Sequence, residues 1–147
     1  MCYLYSPKDS IYFNPDSFRD LENDIAKFSC LGHTLLAGDF NARTGRALHH
    51  MEVDNNKNIP GVIDIPIFHH NLSKWNNYDN QINDHGKILL DICKTCNLRI
   101  LNGRTKGDTF GKNTYHSPLG ISTVDYITVS DDFTNSIENL TVKTTCK

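Results

Sequence analysis

Leu35-Leu36-Ala37-Gly38-Asp39-Phe40-Asn41-Ala42-Arg43-Thr44-Gly45 is the stretch whose reading decides the fold. An apolar run ends in glycine, and an acid and an amide follow two positions apart around one aromatic. Residues 35–37 read as a short buried strand, too short for an independent helix. Gly38 lets the backbone turn sharply at the strand's end. Residues two apart on an extended chain point the same way. Asp39 and Asn41 are therefore expected to face one cleft, with Phe40 packed behind them. A carboxylate beside an amide can hold a water and donate to an oxyanion, which is the chemistry of phosphate ester hydrolysis. The plain alternative is a polar turn after a strand, because Asp and Asn are common turn formers.

Before this stretch, residues 2–5 alternate and carry Tyr3 and Tyr5, which reads as a strand ended by Pro7. A strand starting almost at Met1 suggests a chain that has been cut. Asn14-Pro15 is a helix start, with Asn as N-cap, Pro at the first helical position and Asp16 near the positive end. Phe18, Leu21, Ile25 and Phe28 then recur at helical spacing and are expected to pack on a sheet. Gly32 ends that helix.

After it, periodicity fades from residue 46 to about residue 81, in a stretch rich in Asn and His. Pro60-Gly61 is a turn signal, and Val62, Ile63, Ile65, Ile67 and Phe68 form a strand or pack a long loop. His49-His50 and His69-His70 lack the i, i+4 spacing and the nearby Glu of a metal motif. A second helix is expected with its cap near Asn83 or Asp84, and with Ile88, Leu89, Ile92 and Cys93 as its inner stripe. Gly86 weakens its first turn by up to about 1 kcal/mol. Leu98, Ile100 and Leu101 read as a strand, and Asn102-Gly103-Arg104 turns out of it. Arg104, Lys106 and Lys112 sit in the following loop, where they either meet phosphates or are simply solvated. Thr114-Tyr115 begins an extended piece, and Pro118-Leu119-Gly120 turns. Residues 121–129 are the strongest strand signal, with Ile121, Thr123, Asp125, Ile127 and Val129 on one face. Asp125 is expected in mid-strand, where a carboxylate must be paired or hydrogen-bonded. Asp131-Asp132-Phe133 opens a short turn or helix, and Leu140, Val142 and Thr144 a last strand.

The order of elements predicts an α/β layered domain occupying residues 1–147. At 147 residues the chain is long enough for one domain with a real core. Its 38% hydrophobic and 22% charged residues favour a globular domain over disorder. A net charge of −2 excludes a protein that grips nucleic acid by overall charge, so such contact needs local clusters or a metal. No run approaches the roughly 18 apolar residues of a membrane span, and no membrane partner is expected. Five cysteines at irregular spacing do not form a disulfide framework. Cys93 and Cys96 make one C-x-x-C near a helix end, read as packing rather than zinc or redox chemistry. An intracellular, reduced setting follows.

Taken as an ordered set, Tyr5-Ser6-Pro7, Gly38-Asp39-Phe40-Asn41, Thr114-Tyr115 and Ser122-Thr123-Val124-Asp125-Tyr126 resemble the endonuclease/exonuclease/phosphatase superfamily. Asn41-Ala42-Arg43-Thr44-Gly45, Asn83 with Gly86-Lys87-Ile88-Leu89-Leu90, Leu101-Asn102-Gly103-Arg104 and Gly107-Asp108 are similar to endonuclease domains of non-LTR retrotransposons. The resemblance implies a partial four-layer α/β sandwich lacking its first strands and its last strand. It implies DNA as partner, Mg²⁺ or Mn²⁺ as cofactor with Asp39 as metal ligand, and a nuclear location.

The resemblance also implies roles. Tyr5 reaches the scissile phosphate, Asp39 orients or deprotonates the attacking water, and Asn41 bonds that water and the phosphate. Asp125 holds a catalytic histidine, and Thr114 supports the site. Tyr115, Arg43 and Arg104 join Thr114 as substrate contacts. The family's metal-binding glutamate would precede Met1, and its Ser-Asp-His would follow Lys147. Metal binding and hydrolysis are therefore expected to be impaired, and uncovered sheet edges are expected to promote self-association. The alternatives are an inactive remnant or interaction module, and a phosphatase acting on a small phosphate ester or phospholipid.

Overall fold

The computed structural model describes residues 11, 14, 16–50 and 75–143. Tyr5, the expected strand at residues 2–5, the Pro60-Gly61 turn, the apolar run 62–68, His69-His70 and Thr144 lie outside the described residues. In order, the elements are α1 (Ser17–Ser29), β1 (Leu35–Asp39), α2 (Asp84–Thr95), β2 (Leu98–Ile100), β3 (Tyr115–Ser117), β4 (Gly120–Ser122), β5 (Asp125–Ser130) and a 3-10 helix (Asp131–Ser136). Helices and antiparallel sheets make this a mixed α/β architecture. Among the described residues no helix is long and apolar enough to cross a membrane.

β5 is the middle strand of a three-stranded antiparallel sheet of order β1-β5-β2. β3 and β4 form a separate hairpin. Leu36 faces Thr128 and Gly38 faces Tyr126 across β1 and β5, while Ile100 faces Thr128 across β2 and β5. Side chains alternate between faces, so Leu36, Tyr126, Thr128, Leu98 and Ile100 share the face that receives the helices. Phe18, Leu21 and Ile25 of α1 pack there with Leu89, Leu90, Ile92 and Cys93 of α2, joined by Phe40 and Ala42. The opposite face carries Leu35, Ala37, Asp39, Asp125, Ile127 and Val129.

Four sequence expectations change in the strands and helix faces, and a fifth at the start of α1. β1 is not a buried strand: Leu36 alone is half-buried, and Leu35 and Ala37 are exposed on the face away from the helices. Phe28 and Ile88 leave the inner stripes for the surface, each about two-fifths exposed at 40%, and Leu90 goes inside instead. The long strand over residues 121–129 is broken into β4 and β5, which lie in different sheets, so Asp125 begins a strand rather than occupying its middle. The cause is local: Thr114 Oγ1 accepts the N–H of both Val124 and Asp125 (3.1 Å each), drawing the chain out of the hairpin ladder. Finally, residues 137–143 form no strand; Leu140 N–H donates to Lys106 O (2.8 Å), pinning this segment to a loop.

Helix starts follow local chemistry. Asn14 Oδ1 accepts the Asp16 N–H (2.9 Å), but α1 begins only at Ser17, with Asp16 as N-cap and no side-chain cap. Asn83 caps α2, its Oδ1 accepting the Gly86 N–H at 2.7 Å. Gly86 is there for space. A Cβ at that position would stand 1.9 Å from Arg43 O, inside backbone contact. Helix propensity favours alanine by about 1 kcal/mol, but relieving the clash requires α2 to move off residues 41–43. Gly86→Ala is therefore expected to destabilise the fold by about 2 kcal/mol net, within the range for overpacking, as a lower urea midpoint at unchanged slope. A neutral or stabilising result would mean that α2 does not pack this closely.

Candidate active site

Asp39 ends β1 and Asp125 begins β5, directly opposite one another in the register. Phe40 N–H donates to Val124 O (3.0 Å) and Ser130 N–H to Thr34 O (3.0 Å), so the even-numbered residues of β1 form the hydrogen-bonded pairs. Asp39 and Asp125 are then a non-hydrogen-bonded pair, in which Cα atoms stand about 4.5 Å apart and side chains lie close on one face. Like charges directly opposite are destabilising. Among the described residues no lysine, arginine or histidine forms an ion pair with either carboxylate.

Asn41 does not continue the strand. It adopts a left-handed conformation (φ 48°), and its N–H donates to Asp39 Oδ1 at 2.8 Å. The expectation that strand alternation aims Asp39 and Asn41 into one cleft therefore fails beyond β1; a tight turn links them instead. Phe40 packs into the core as expected. The turn is clamped by Asn83: its Nδ2 donates to Asn41 O (2.9 Å) and its Oδ1 accepts the Arg43 N–H (2.9 Å). The same amide caps α2, so the N-terminus of a helix and the turn carrying Asn41 share one side chain.

Three further side chains fix β5. Thr114 holds its first N–H groups, as described above, and its own N–H donates to Ser122 O (3.0 Å). Asn102 extends the β2 ladder with its amide, donating from Nδ2 to Asp125 O (3.2 Å) and accepting the Ile127 N–H at Oδ1 (3.0 Å). Tyr126 is buried with its hydroxyl donating to Thr123 O (3.0 Å) and bonded to Thr44 Oγ1 (2.9 Å). Burial pushes that phenol's pKa upward, against the hydrogen bonds from Thr44 and Asn77. Tyr115 stands on the β3–β4 hairpin, half exposed.

Asp79, which sequence reasoning missed, joins the two halves. Its carboxylate receives Arg43 Nε (2.7 Å) and Nη2 (2.7 Å), the Gln81 N–H (3.0 Å) and the Thr123 N–H (3.2 Å). Burial works to raise its pKa, but these donors and the arginine charge hold it below the usual carboxylate value. Arg43 also gives Nη1 to Gln81 Oε1 (2.7 Å), and its pKa is raised by Asp79. The guanidinium read from sequence as a substrate contact is thus occupied within the protein. Arg104, the other such cation, is buried, with Nη2 2.8 Å from His49 Nε2. Burial, with Arg99 nearby, pulls the Arg104 pKa down to about 10, against the pull of Asp131. Burial first, then Arg104, pushes His49 down to about 2. Neutral His49 accepts at Nε2 and carries its proton on Nδ1, so this histidine packs rather than titrates.

A divalent cation of the Mg²⁺ type uses one or two carboxylates and keeps several waters. Asp39 and Asp125 stand opposite one another in the register and offer that number of carboxylates. A fuller protein cage does not fit: no group of three or more His, Cys, Asp or Glu side chains able to hold a metal occurs among the described residues. The Cys93 thiol, inside the core, is pushed up to about 12 by burial and is unsuited to metal or redox work.

Compared with known proteins, the chain matches no family model, no curated protein and no solved structure.

The Arg43/Asp79 pair yields a stability test. Asp79 is 1% exposed at its side chain, so Arg43→Met leaves a buried carboxylate with two backbone N–H donors but no countercharge and is expected to cost about 3 kcal/mol. Because the folded-state pKa of Asp79 lies below its unfolded value near 3.8, the pair stabilises fully above that value. Its contribution is lost as pH falls through the folded pKa. Urea unfolding of Asp79→Asn should show a lower plateau at neutral pH and a shallower loss between about pH 5 and pH 2 than the unmodified chain. Parallel pH curves would remove Asp79 from this role.

Proposed function

We propose that this chain is a metal-dependent phosphodiesterase domain of the endonuclease/exonuclease/phosphatase superfamily, from the branch that cleaves DNA. On this reading its helices and β1-β5-β2 sheet are part of a four-layer α/β sandwich, and an intracellular, nuclear location goes with it. The observation that supports it most is convergence. Asp39 stands far in sequence from Thr114 and Asp125, and the fold brings all three to one end of two paired strands. Two carboxylates lie opposite each other there, and among the described residues no cation forms an ion pair with either.

The roles are those the resemblance implies, and the following geometry is compatible with them. Asp39 has one oxygen on the Asn41 N–H and the other available to take a proton from an attacking water. The backbone of Asn41 is held in a turn locked through Asn83, and on this reading its side-chain amide would donate to charge developing on the phosphate. Asp125 adds the second carboxylate, and Thr114 holds its backbone. A bound Mg²⁺ or Mn²⁺ supplies Lewis-acid polarisation of the phosphoryl oxygen. Tyr5 is assigned to the phosphate by resemblance.

A second reading, an inactive remnant or interaction module, is favoured by two observations. No histidine pairs with Asp125 among the described residues, and no three-ligand metal group occurs there. Nicking of supercoiled plasmid separates the two. Slow nicking that requires Mg²⁺ and falls on the order of 100-fold in Asp39→Ala is expected for the enzyme. Equal rates for both proteins, each with unchanged circular dichroism, would establish the inactive reading.

A further inference from the structure

Tyr78 and Phe110 are large aromatics left in solvent, 55% and 58% exposed. They come from separate loops and stack on each other, with ring centroids 6.1 Å apart and planes inclined by 27°. Single exposed aromatics are ordinary; a stacked pair on a fixed frame is not. Tyr78 N–H donates to Gly111 O (2.9 Å), and Asn76 N–H to Gly103 O (2.9 Å). Asn76 Nδ2 donates to Thr109 O at 2.9 Å. Gly111 (φ 68°) permits this closeness, since a Cβ there would stand 2.3 Å from Asn76 O. The two loops are sutured backbone to backbone, so the ring pair needs little ordering to receive a ligand.

Among the described residues, the exposed charges on the two loops that carry the pair, and on Arg46 beside them, have one sign. Arg46 is exposed and reaches Asn77 O through Nε (3.1 Å), beside Tyr78. Lys112 follows Phe110 by two residues and Lys106 lies on the same loop, both exposed. None of these three cations is in an ion pair among the described residues. The two acids of these loops are turned inward: Asp79 holds Arg43, and Asp108 accepts the N–H of Gly103 (3.2 Å) and of Lys112 (3.0 Å). On a chain of net charge −2, this is a local cationic surface around a bare π face.

We propose that the Tyr78/Phe110 pair is a stacking platform for unpaired bases of single-stranded nucleic acid, with Arg46 and Lys112 receiving the backbone phosphates. Every base has a π face and every link a negative charge, and aromatic platforms in cationic grooves bind such strands without sequence preference. An aliphatic protein partner would not need the cations, and a free anion would not need the rings. The platform also connects to the candidate active site. Lys112 O accepts from Thr123 Oγ1 (3.4 Å), two residues before Asp125. This binding goes beyond the proposed hydrolysis and does not require it.

The test is fluorescence anisotropy with labelled oligothymidylate and a blunt duplex of equal length, in EDTA so that metal chemistry is absent. The single strand should bind more tightly than the duplex. Tyr78→Ala and Phe110→Ala should each weaken binding about tenfold with unchanged salt dependence, and Phe110→Trp should restore it. Lys112→Ala should instead reduce the slope of log affinity against log salt by about 0.7. Leu119→Ser, at a fully exposed apolar residue of the β3–β4 turn, should change nothing. Absence of binding, tighter binding to duplex, or equal affinity in the folded aromatic variants would overturn the proposal. Loss of plasmid nicking alone would leave it standing.

Discussion

The Asp79 carboxylate, gripped by two nitrogens of Arg43 and by the N–H groups of Gln81 and Thr123, is the interaction on which the arrangement depends. It ties the segment leaving β1 to the segment entering β5. Burial alone would drive a carboxylate toward its neutral form. Here the donors outweigh that penalty, so the charged, bonded state and the folded state are the same state. Without it, among the described residues, the turn after β1 would be held against the start of β5 only by the Phe40 N–H to Val124 O bond and by Thr44 on the Tyr126 hydroxyl.

Around that pair, side-chain amides and hydroxyls do the work of backbone. Asn102 replaces a peptide group in the ladder beside β5, Thr114 Oγ1 takes two successive N–H groups, and Asn83 serves a helix end and a turn together. Each satisfies polar groups that would otherwise be costly where the strands stop and the loops begin. This is why asparagine is needed at these places, beyond its general liking for turns. It also explains the tolerance of a left-handed Asn41, whose conformation is fixed from both sides.

The cations divide along the same lines. Arg43, Arg99 and Arg104 are employed inside, against Asp79, Asp131 and His49. Lys106, Lys112 and Arg46 remain at the surface. In sequence, Arg104, Lys106 and Lys112 look alike, three cations of one polar loop. Arg104 follows Gly103, which takes a left-handed turn (φ 77°) close against Asn76 O, and it is buried while the two lysines are exposed.

The sequence by itself determined the mixed α/β class, a helix cap at Asn83 or Asp84, the turn at Pro118-Leu119-Gly120 and the core positions Phe18, Leu21, Ile25, Leu89, Ile92 and Cys93. These rest on short-range signals: apolar periodicity, a capping side chain, turn residues. The tertiary structure alone decided that residues 121–129 split between two sheets, that Phe28 and Ile88 face outward, and that Asp39 and Asp125 stand opposite each other. It also decided the part played by Asp79, which sits in a stretch without periodicity and bonds to partners dozens of residues away on either side. The physical reason is the range of the interactions. A cap or a stripe is satisfied within one or two turns of chain. A split strand, a buried ion pair or a strand register is satisfied only by groups brought in from elsewhere, which no local pattern records.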